Sequence, residues 1–238
     1  GDKFVSRQSR FTLGWAQVLR GNLTDALVQL GVVEEESIAA RDRMFSMQAA
    51  SIRTVVLAYQ GHVEEARTAS DSTAERVADL FDSYTGLVYG GSAQVYLASG
   101  DARAAWDTYE LARGHGGMEP QSAPMHMWAP LAPLACGDLA VARQWADEVV
   151  AATRGWSLAG ALTARARVKS SQGDLDGAER DAHHGLGLVA RLRGYLLIPF
   201  AFDGLGILAA QRGNQLMAVR LLGAADAARR RMGTARWP

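Results

Sequence analysis

Apolar residues recur every three or four positions along most of the chain, which is the spacing of one face of an α-helix. The clearest stripe lies between positions 175 and 189 and comprises Leu175, Ala178, Ala182, Leu186 and Val189. Shorter stripes run through residues 11–19 and 198–208. No stretch shows the sustained apolar–polar alternation of a half-buried strand bounded by hairpin turns. The pattern therefore predicts an all-α protein.

The predicted helices are interrupted at regular intervals by a glycine followed by a polar residue. Gly100 suits the position just after a helix, where a left-handed backbone favours glycine, and Asp101 suits the N-cap of the next helix. An alanine follows five residues after each such glycine, where two helices would cross closely. Successive turn glycines are 40, 39, 37, 36 and 40 residues apart, and they are Gly21, Gly61, Gly100, Gly137, Gly173 and Gly213. This repeat predicts about six antiparallel helix pairs.

The first helix of the fourth pair is irregular because it contains three prolines. Pro124 is compatible with a first helical turn, but Pro130 and Pro133 each remove a backbone donor and should kink or shorten the helix. One interpretation is a broken helix that its neighbours tolerate. The other is a hinge or a break that faces a ligand.

Composition narrows the class of protein. Apolar residues make up 48% of the chain and charged residues 21%, which is typical of an ordinary folded protein. The formal net charge is zero, which argues against nucleic-acid binding by the surface as a whole. The single cysteine, Cys136, cannot form an internal disulfide, and no apolar run is long enough to cross a membrane. We expect a cytoplasmic protein that does not bind membranes.

Motifs that would indicate catalysis, a cofactor or a metal are missing. The chain has no G-x-x-x-x-G-K-[ST] phosphate loop, and its histidines, aspartates and serines show no triad-like spacing. His183 and His184 are adjacent, so on a helix they point about 100° apart and cannot chelate one metal ion as an i, i+4 pair would. We expect no catalytic residues, no cofactor and no metal site in this chain.

The residues around the third turn resemble a tetratricopeptide repeat. The positions that carry this likeness are Tyr89, Ala93, Tyr96, Ala105, Tyr109 and Ala112. The resemblance implies a right-handed α-solenoid, with residues 1–238 forming a single helical-repeat domain.

A second resemblance lies in the last predicted helix, residues 218–233. This stretch is similar to the end of the repeat region in large bacterial LuxR-type regulators with a STAND-class ATPase module, through Arg220, Leu221, Leu222, Gly223, Ala224, Ala225 and Gly233. In that family an ATPase precedes the repeats, a helix-turn-helix domain follows them, and some members also carry a nucleotide cyclase. The chain lacks an initiating methionine, and we expect a fragment of such a regulator that leaves DNA binding to a separate domain.

A stack of helix pairs presents an extended concave face that needs no catalytic groups. By analogy with such repeats, positions six residues before each turn glycine should face inward; these include Trp15, Gln94 and Arg167. With Trp128 and Asp203 they are the candidate binding residues. They would contact a protein partner or, alternatively, a small-molecule inducer; a purely structural or oligomerisation arm would show neither.

Charged residues leave two further questions open. Arg167 and Asp203 could form an ion pair with each other or contact a ligand. The basic cluster Arg229, Arg230, Arg231 and Arg236 could complement a helix dipole or touch DNA or a following domain.

Overall fold

The computed structural model describes residues 3–77, 82–116 and 122–238, and in these ranges the chain is helical without strands. Thirteen α-helices follow one another: α1 Lys3–Arg20, α2 Leu23–Ala39, α3 Arg43–Gln60, α4 Val63–Ala74, α5 Asp82–Ala98, α6 Ala102–Gly114, α7 Ala123–His126, α8 Leu131–Ala135, α9 Leu139–Ala152, α10 Gly155–Ser171, α11 Leu175–Leu192, α12 Ile198–Gln211 and α13 Gln215–Met232. They form six antiparallel pairs of a right-handed, tetratricopeptide-like α-solenoid, because α7 and α8 together make the first half of pair four. The predicted fold class is confirmed.

The predicted glycine turn lies between the two helices of each pair. The following polar residue caps the next helix at four of the six turns, whereas Asn22 and His62 make no side-chain cap bond. Gly100 has φ +81°, and the carboxylate of Asp101 accepts a hydrogen bond from the amide of Ala104 at 3.1 Å. The other five turn glycines have φ between +77° and +86°. The six alanines are all buried, which lets the paired helices cross closely: Ala26, Ala66, Ala105, Ala142, Ala178 and Ala218.

The proline-rich segment breaks its helix as expected. The helical hydrogen-bonding pattern stops after His126 and resumes at Leu131. The intervening residues turn inward, and Met127 and Trp128 are 1% exposed. The break thus supplies core side chains to the middle of the solenoid.

The solenoid curves until its ends touch. Trp15 of the first pair makes an edge-to-face contact with Trp156 of the fifth pair, with ring centroids 5.8 Å apart. Met232, the last residue of α13, packs against the first turn at Gly21. One large apolar cluster runs from Val18 to Leu197, so most pairs share a core. Among the described residues, no helix is both long and apolar enough to cross a membrane.

A valine at Gly100 should destabilise the fold by about 1–2 kcal/mol, because a β-branched residue is strained at positive φ. Gly114 is the last residue of α6 and does not have a positive φ, and a Cβ added there would meet nothing within 4 Å. Gly114→Val should therefore change stability by less than about 0.5 kcal/mol. Chemical denaturation of the two variants measures the difference, and equal losses would contradict the assigned turn.

Candidate functional site

A groove runs along the first helices of pairs three to six. Its walls include Leu97 of α5, Leu131 of α8, Arg167 of α10, and Phe200 and Asp203 of α12. The segment after α13 closes it from the other side. About 180 Å³ of the groove is open to water-sized molecules. Helices from four successive pairs thus converge on one elongated depression.

A second depression continues on the far side of Arg167. It has an open volume of about 340 Å³ and is lined by Ser170 of α10 together with Gly204, Ile207 and Gln211 of α12. Ser170 donates a hydrogen bond to the side-chain oxygen of Gln211 at 2.6 Å. Because Arg167 lines both depressions, it lies between them along one row of first helices.

Arg167 carries a positive charge without an ion-pair partner among the described carboxylates. Its side chain is exposed to solvent, yet groove walls surround it. Desolvation by these walls lowers the pKa of Arg167, and the negative charge of Asp203 opposes the shift. The guanidinium stays charged and keeps donors free for an anionic group.

Asp203 is engaged by two other arginines. Both of its carboxylate oxygens accept hydrogen bonds from Arg229, and one also contacts Arg236 at 3.4 Å. Asp226 shares both partners, at 3.4 Å from Arg229 and 2.8 Å from Arg236. Of the two alternatives left open for Arg167 and Asp203, the ion pair between them is not formed, because α13 and the segment after it bring closer cations to Asp203. Arg229 is a buried structural cation, whereas Arg230 and Arg231 are exposed.

Trp237 fills an aromatic slot at the end of the groove. We define the aromatic slot by Tyr59, Trp128 and Phe200. The indole stacks on Tyr59 at 4.9 Å with an interplanar angle of 22°. It meets Phe200 and Trp128 edge to face at 5.6 and 6.3 Å. Such pairs contribute about 0.5–1.5 kcal/mol each beyond burial, so the slot holds its occupant firmly.

Gln94 and Trp128 support the aromatic slot from below. Trp128 donates its indole hydrogen to the Tyr59 hydroxyl at 2.8 Å, and that hydroxyl lies 3.5 Å from the Gln94 oxygen. The Gln94 amide also donates to the carbonyl of Met125 at 2.9 Å. Burial raises the pKa of Tyr59, which therefore stays neutral. Both predicted residues are 1% exposed. Gln94 lies beneath Tyr59 and positions it, whereas Trp128 both positions Tyr59 and forms a wall of the slot that Trp237 covers.

Trp15 lies away from the groove. With Val55 and Gln94 it lines a small cavity of about 10 Å³, which Met125 and Met127 from the broken helix also line. All three residues face inward, as expected from their place before the turn glycines. The broken helix occupies the space in front of them, which removes Trp15 from the candidate site.

Several residues of the site were missed by sequence reasoning. They are Tyr59, Phe200, Asp226 and Trp237. Sequence reasoning identified Arg229 only as a member of the basic cluster, without its link to Asp203. Trp237 offered one signal, an aromatic residue between Arg236 and Pro238 after the last helical stripe. Its partners come from helices about 180 and 40 residues earlier in the sequence, and spacing along one helix cannot reveal such contacts.

The described residues include no group of three or more His, Cys, Asp or Glu side chains arranged to hold a metal ion. His126 is fully buried, and its Nδ1 lies 3.0 Å from the carbonyl oxygen of Ser122. Cys136 is exposed and unpaired. The groove presents charged, hydrogen-bonding and aromatic groups.

No protein-family model matches the chain. Over 231 residues the chain is 37% identical to proteins of Mycobacterium tuberculosis and Mycobacterium bovis named "Putative HTH-type transcriptional regulator". The match covers 96% of this chain and 26% of those relatives, so the chain spans about a quarter of their length.

Two solved structures show the fold. The Rap conjugation gene regulator of plasmid pLS20, in complex with the Phr* peptide, has a TM-score of 0.76 at 12% identity, covering 98% of this chain and 64% of that one. A kinesin light chain protein of Podosopora anserina with nearly identical TPR-like repeats has a TM-score of 0.52 at 18% identity, covering 79% and 95%. The chain therefore has a tetratricopeptide-like fold.

Proposed function

We propose that residues 1–238 form one helical-repeat domain of a LuxR-type, ATP-dependent transcriptional regulator, and that this domain binds a segment of a partner protein. The relatives named as helix-turn-helix transcriptional regulators support the regulator part of this proposal. Because the chain matches only about a quarter of their length, it would be one domain of such a protein. The remainder of such a regulator would supply ATP hydrolysis and DNA contact. This chain contributes a non-catalytic recognition surface.

The observation that carries the proposal is the unpaired Arg167 between two depressions on one row of first helices. This row forms the concave face of the solenoid. An extended peptide laid along it would pass Arg167 and present an acidic side chain to the free guanidinium, which favours carboxylates through its paired donors. The structurally similar Rap regulator was solved with a peptide, which is consistent with this use of the fold.

A small-molecule inducer fits the groove less well. The groove beside Asp203 leaves about 180 Å³, below the roughly 300–1,000 Å³ of pockets that enclose drug-sized ligands. The depression beyond Arg167 is larger, at about 340 Å³, but like the groove it is open to solvent and would not enclose a ligand. A structural arm, in turn, would not need an unpaired cation in a groove. Peptide recognition accounts for both the open shape of the two depressions and the unpaired Arg167 between them.

Panning a displayed-peptide library on the immobilised chain tests the proposal. Enriched peptides should contain an acidic residue and bind Arg167→Ala roughly ten- to a hundredfold more weakly, the range for a hydrogen bond to a charged group. The melting temperature should stay unchanged because Arg167 has no ion-pair partner among the described residues. Arg180→Ala removes an exposed arginine from α11 and is the matched control.

Two outcomes would contradict the proposal. One is enrichment of peptides that bind wild type and Arg167→Ala equally. The other is failure to enrich any peptide above the level found with bovine serum albumin.

A further inference from the structure

The segment after α13 lies across the turns of other helix pairs. We call residues 234–238 the strap. Gly233 ends α13 with φ +64°, which reverses the chain direction, and the amide of Thr234 bonds to the carbonyl of Arg229 at 3.1 Å. The amide of Ala235 then donates to the carbonyl of Tyr59 at 2.7 Å. The strap is thereby tied to pair two although it follows pair six.

Two turn glycines make room for the strap. A Cβ added to Gly61 would lie 2.8 Å from the Cβ of Ala235, and one added to Gly100 would lie 3.4 Å from Pro238. By contrast, a Cβ on Gly137, Gly173 or Gly213 would meet nothing within 4 Å. The strap therefore follows a defined path over the turns of pairs two and three.

The strap is bound through a cation followed by an aromatic residue. Arg236 contacts both Asp203 and Asp226, and the next residue, Trp237, fills the aromatic slot. The fit is incomplete, because Nε1 of Trp237 is buried without a hydrogen-bond partner among the described residues. An unsatisfied buried donor weakens the binding of this occupant.

We propose that the aromatic slot and the Asp203–Asp226 pair form a subsite for partner peptides with a basic residue followed by a large aromatic one, and that the strap is an internal competitor for it. The chemistry is complementary: two carboxylates face the cation, and three aromatic rings surround the next side chain. This proposal rests on peptide binding as the proposed function, and it adds the sequence class of the peptide and a means of regulation. A partner that binds here displaces the strap and so releases the contact between pair six and pairs two and three.

Binding in trans tests the competition. The probe is a fluorescein-labelled peptide of sequence Gly-Thr-Ala-Arg-Trp-Pro with an amidated end, followed by fluorescence anisotropy. Trp237→Ala frees the slot, so it should bind the probe at least roughly tenfold more tightly than wild type, whose binding-competent fraction is reduced by the strap. Probes with Arg→Gln or Trp→Ala should lose this affinity. Trp106→Ala, a half-buried indole on α6, controls for the loss of a tryptophan.

Hydrogen exchange reports the strap itself. The amide of Ala235 should be protected in wild type and exchange faster in Trp237→Ala. Gly61→Ala and Gly173→Ala are a matched pair, because φ is +82° and +83° but only Gly61 faces the strap. Gly61→Ala should therefore lose protection at Ala235 and Gly173→Ala should retain it. If Trp237→Ala fails to fold, Arg236→Gln, whose side chain is largely exposed, replaces it and should show a smaller gain in probe affinity.

Each result decides the matter. Tighter probe binding by the loosened variant, with loss of protection at Ala235, supports the subsite. An unprotected Ala235 amide in wild type, or equal probe affinity for wild type and loosened variant, overturns it. Neither of these failures affects the Arg167-dependent binding of panned peptides, so the proposed function is tested separately.

Discussion

Asp203→Ala should lower the free energy of unfolding by about 2–4 kcal/mol, the largest effect we expect from a single charged residue. The substitution leaves Arg229, which is 5% exposed, without its bidentate partner. Breaking a fully buried pair typically costs about 3–5 kcal/mol. Asp226 remains near Arg229 and Asp203 is partly exposed, which places the expected loss somewhat lower.

Urea denaturation followed by circular dichroism measures this loss. Asp176→Ala is the matched control, because Asp176 pairs with Arg212 on the open surface and exposed pairs contribute about 0–1 kcal/mol. A double-mutant cycle adds a second check. Arg167→Ala and Asp203→Ala should couple only weakly, since the two residues form no ion pair and interact only through the charge of Asp203 acting on Arg167. A loss at Asp203 no larger than at Asp176, or strong coupling to Arg167, would contradict the assigned network.

The solenoid could be predicted from the sequence because its determinants are local. Gly100, Asp101 and Ala105 lie within six positions, and each acts on the backbone or on the adjacent helix. The same local signal recurs at the other turns, so the positions of the helix pairs can be predicted from this one sequence. The proline break was predicted for the same reason, since Pro130 and Pro133 alter the helix that contains them.

The groove could be predicted only in part. The inward position of Arg167 follows from its distance to Gly173, which is a local relation. The partners of Asp203 do not follow from a local relation, because Arg229 and Arg236 reach Asp203 only when α13 and the strap fold back on the earlier helices. Likewise, the inward turn of the broken helix covers Gln94 and fills the space in front of Trp15. The repeat pattern fixes which residues face inward, and long-range packing decides which of them remain accessible.

His126 should make the fold sensitive to mild acid. Burial is the largest cause that lowers the pKa of His126, from 6.5 to about 4, and the positive charge of Arg113 acts in the same direction. The hydrogen bond to the Ser122 carbonyl opposes the shift, since Nδ1 carries the donated hydrogen. Nε2 is buried without a hydrogen-bond partner among the described residues, so a second proton there would find no acceptor. The native state therefore holds this ring neutral.

The direction of the pH effect follows from these pKa values. Between pH 6.5 and about 4 the unfolded chain binds a proton at His126 that the folded chain does not, so stability falls as the pH falls through this range. The loss between pH 7 and pH 5 is about 2 kcal/mol. Asp181 also has a lowered pKa, because Arg165 and Lys169 outweigh its desolvation, but its contribution is lost only below its ordinary pKa of 3.8.

Urea denaturation of wild type and His126→Gln at pH 7, 6 and 5 tests this expectation. Glutamine does not titrate, so the variant should start less stable but lose about 2 kcal/mol less than wild type between pH 7 and pH 5. His184→Gln, which changes an exposed histidine on α11, should keep the wild-type pH dependence. Parallel curves for wild type and His126→Gln would show that His126 does not cause the acid sensitivity.

If the curves diverge as expected, protonation at His126 loosens the segment whose Met125 carbonyl holds Gln94 beneath the aromatic slot. Acid should then weaken binding of the probe peptide to Trp237→Ala.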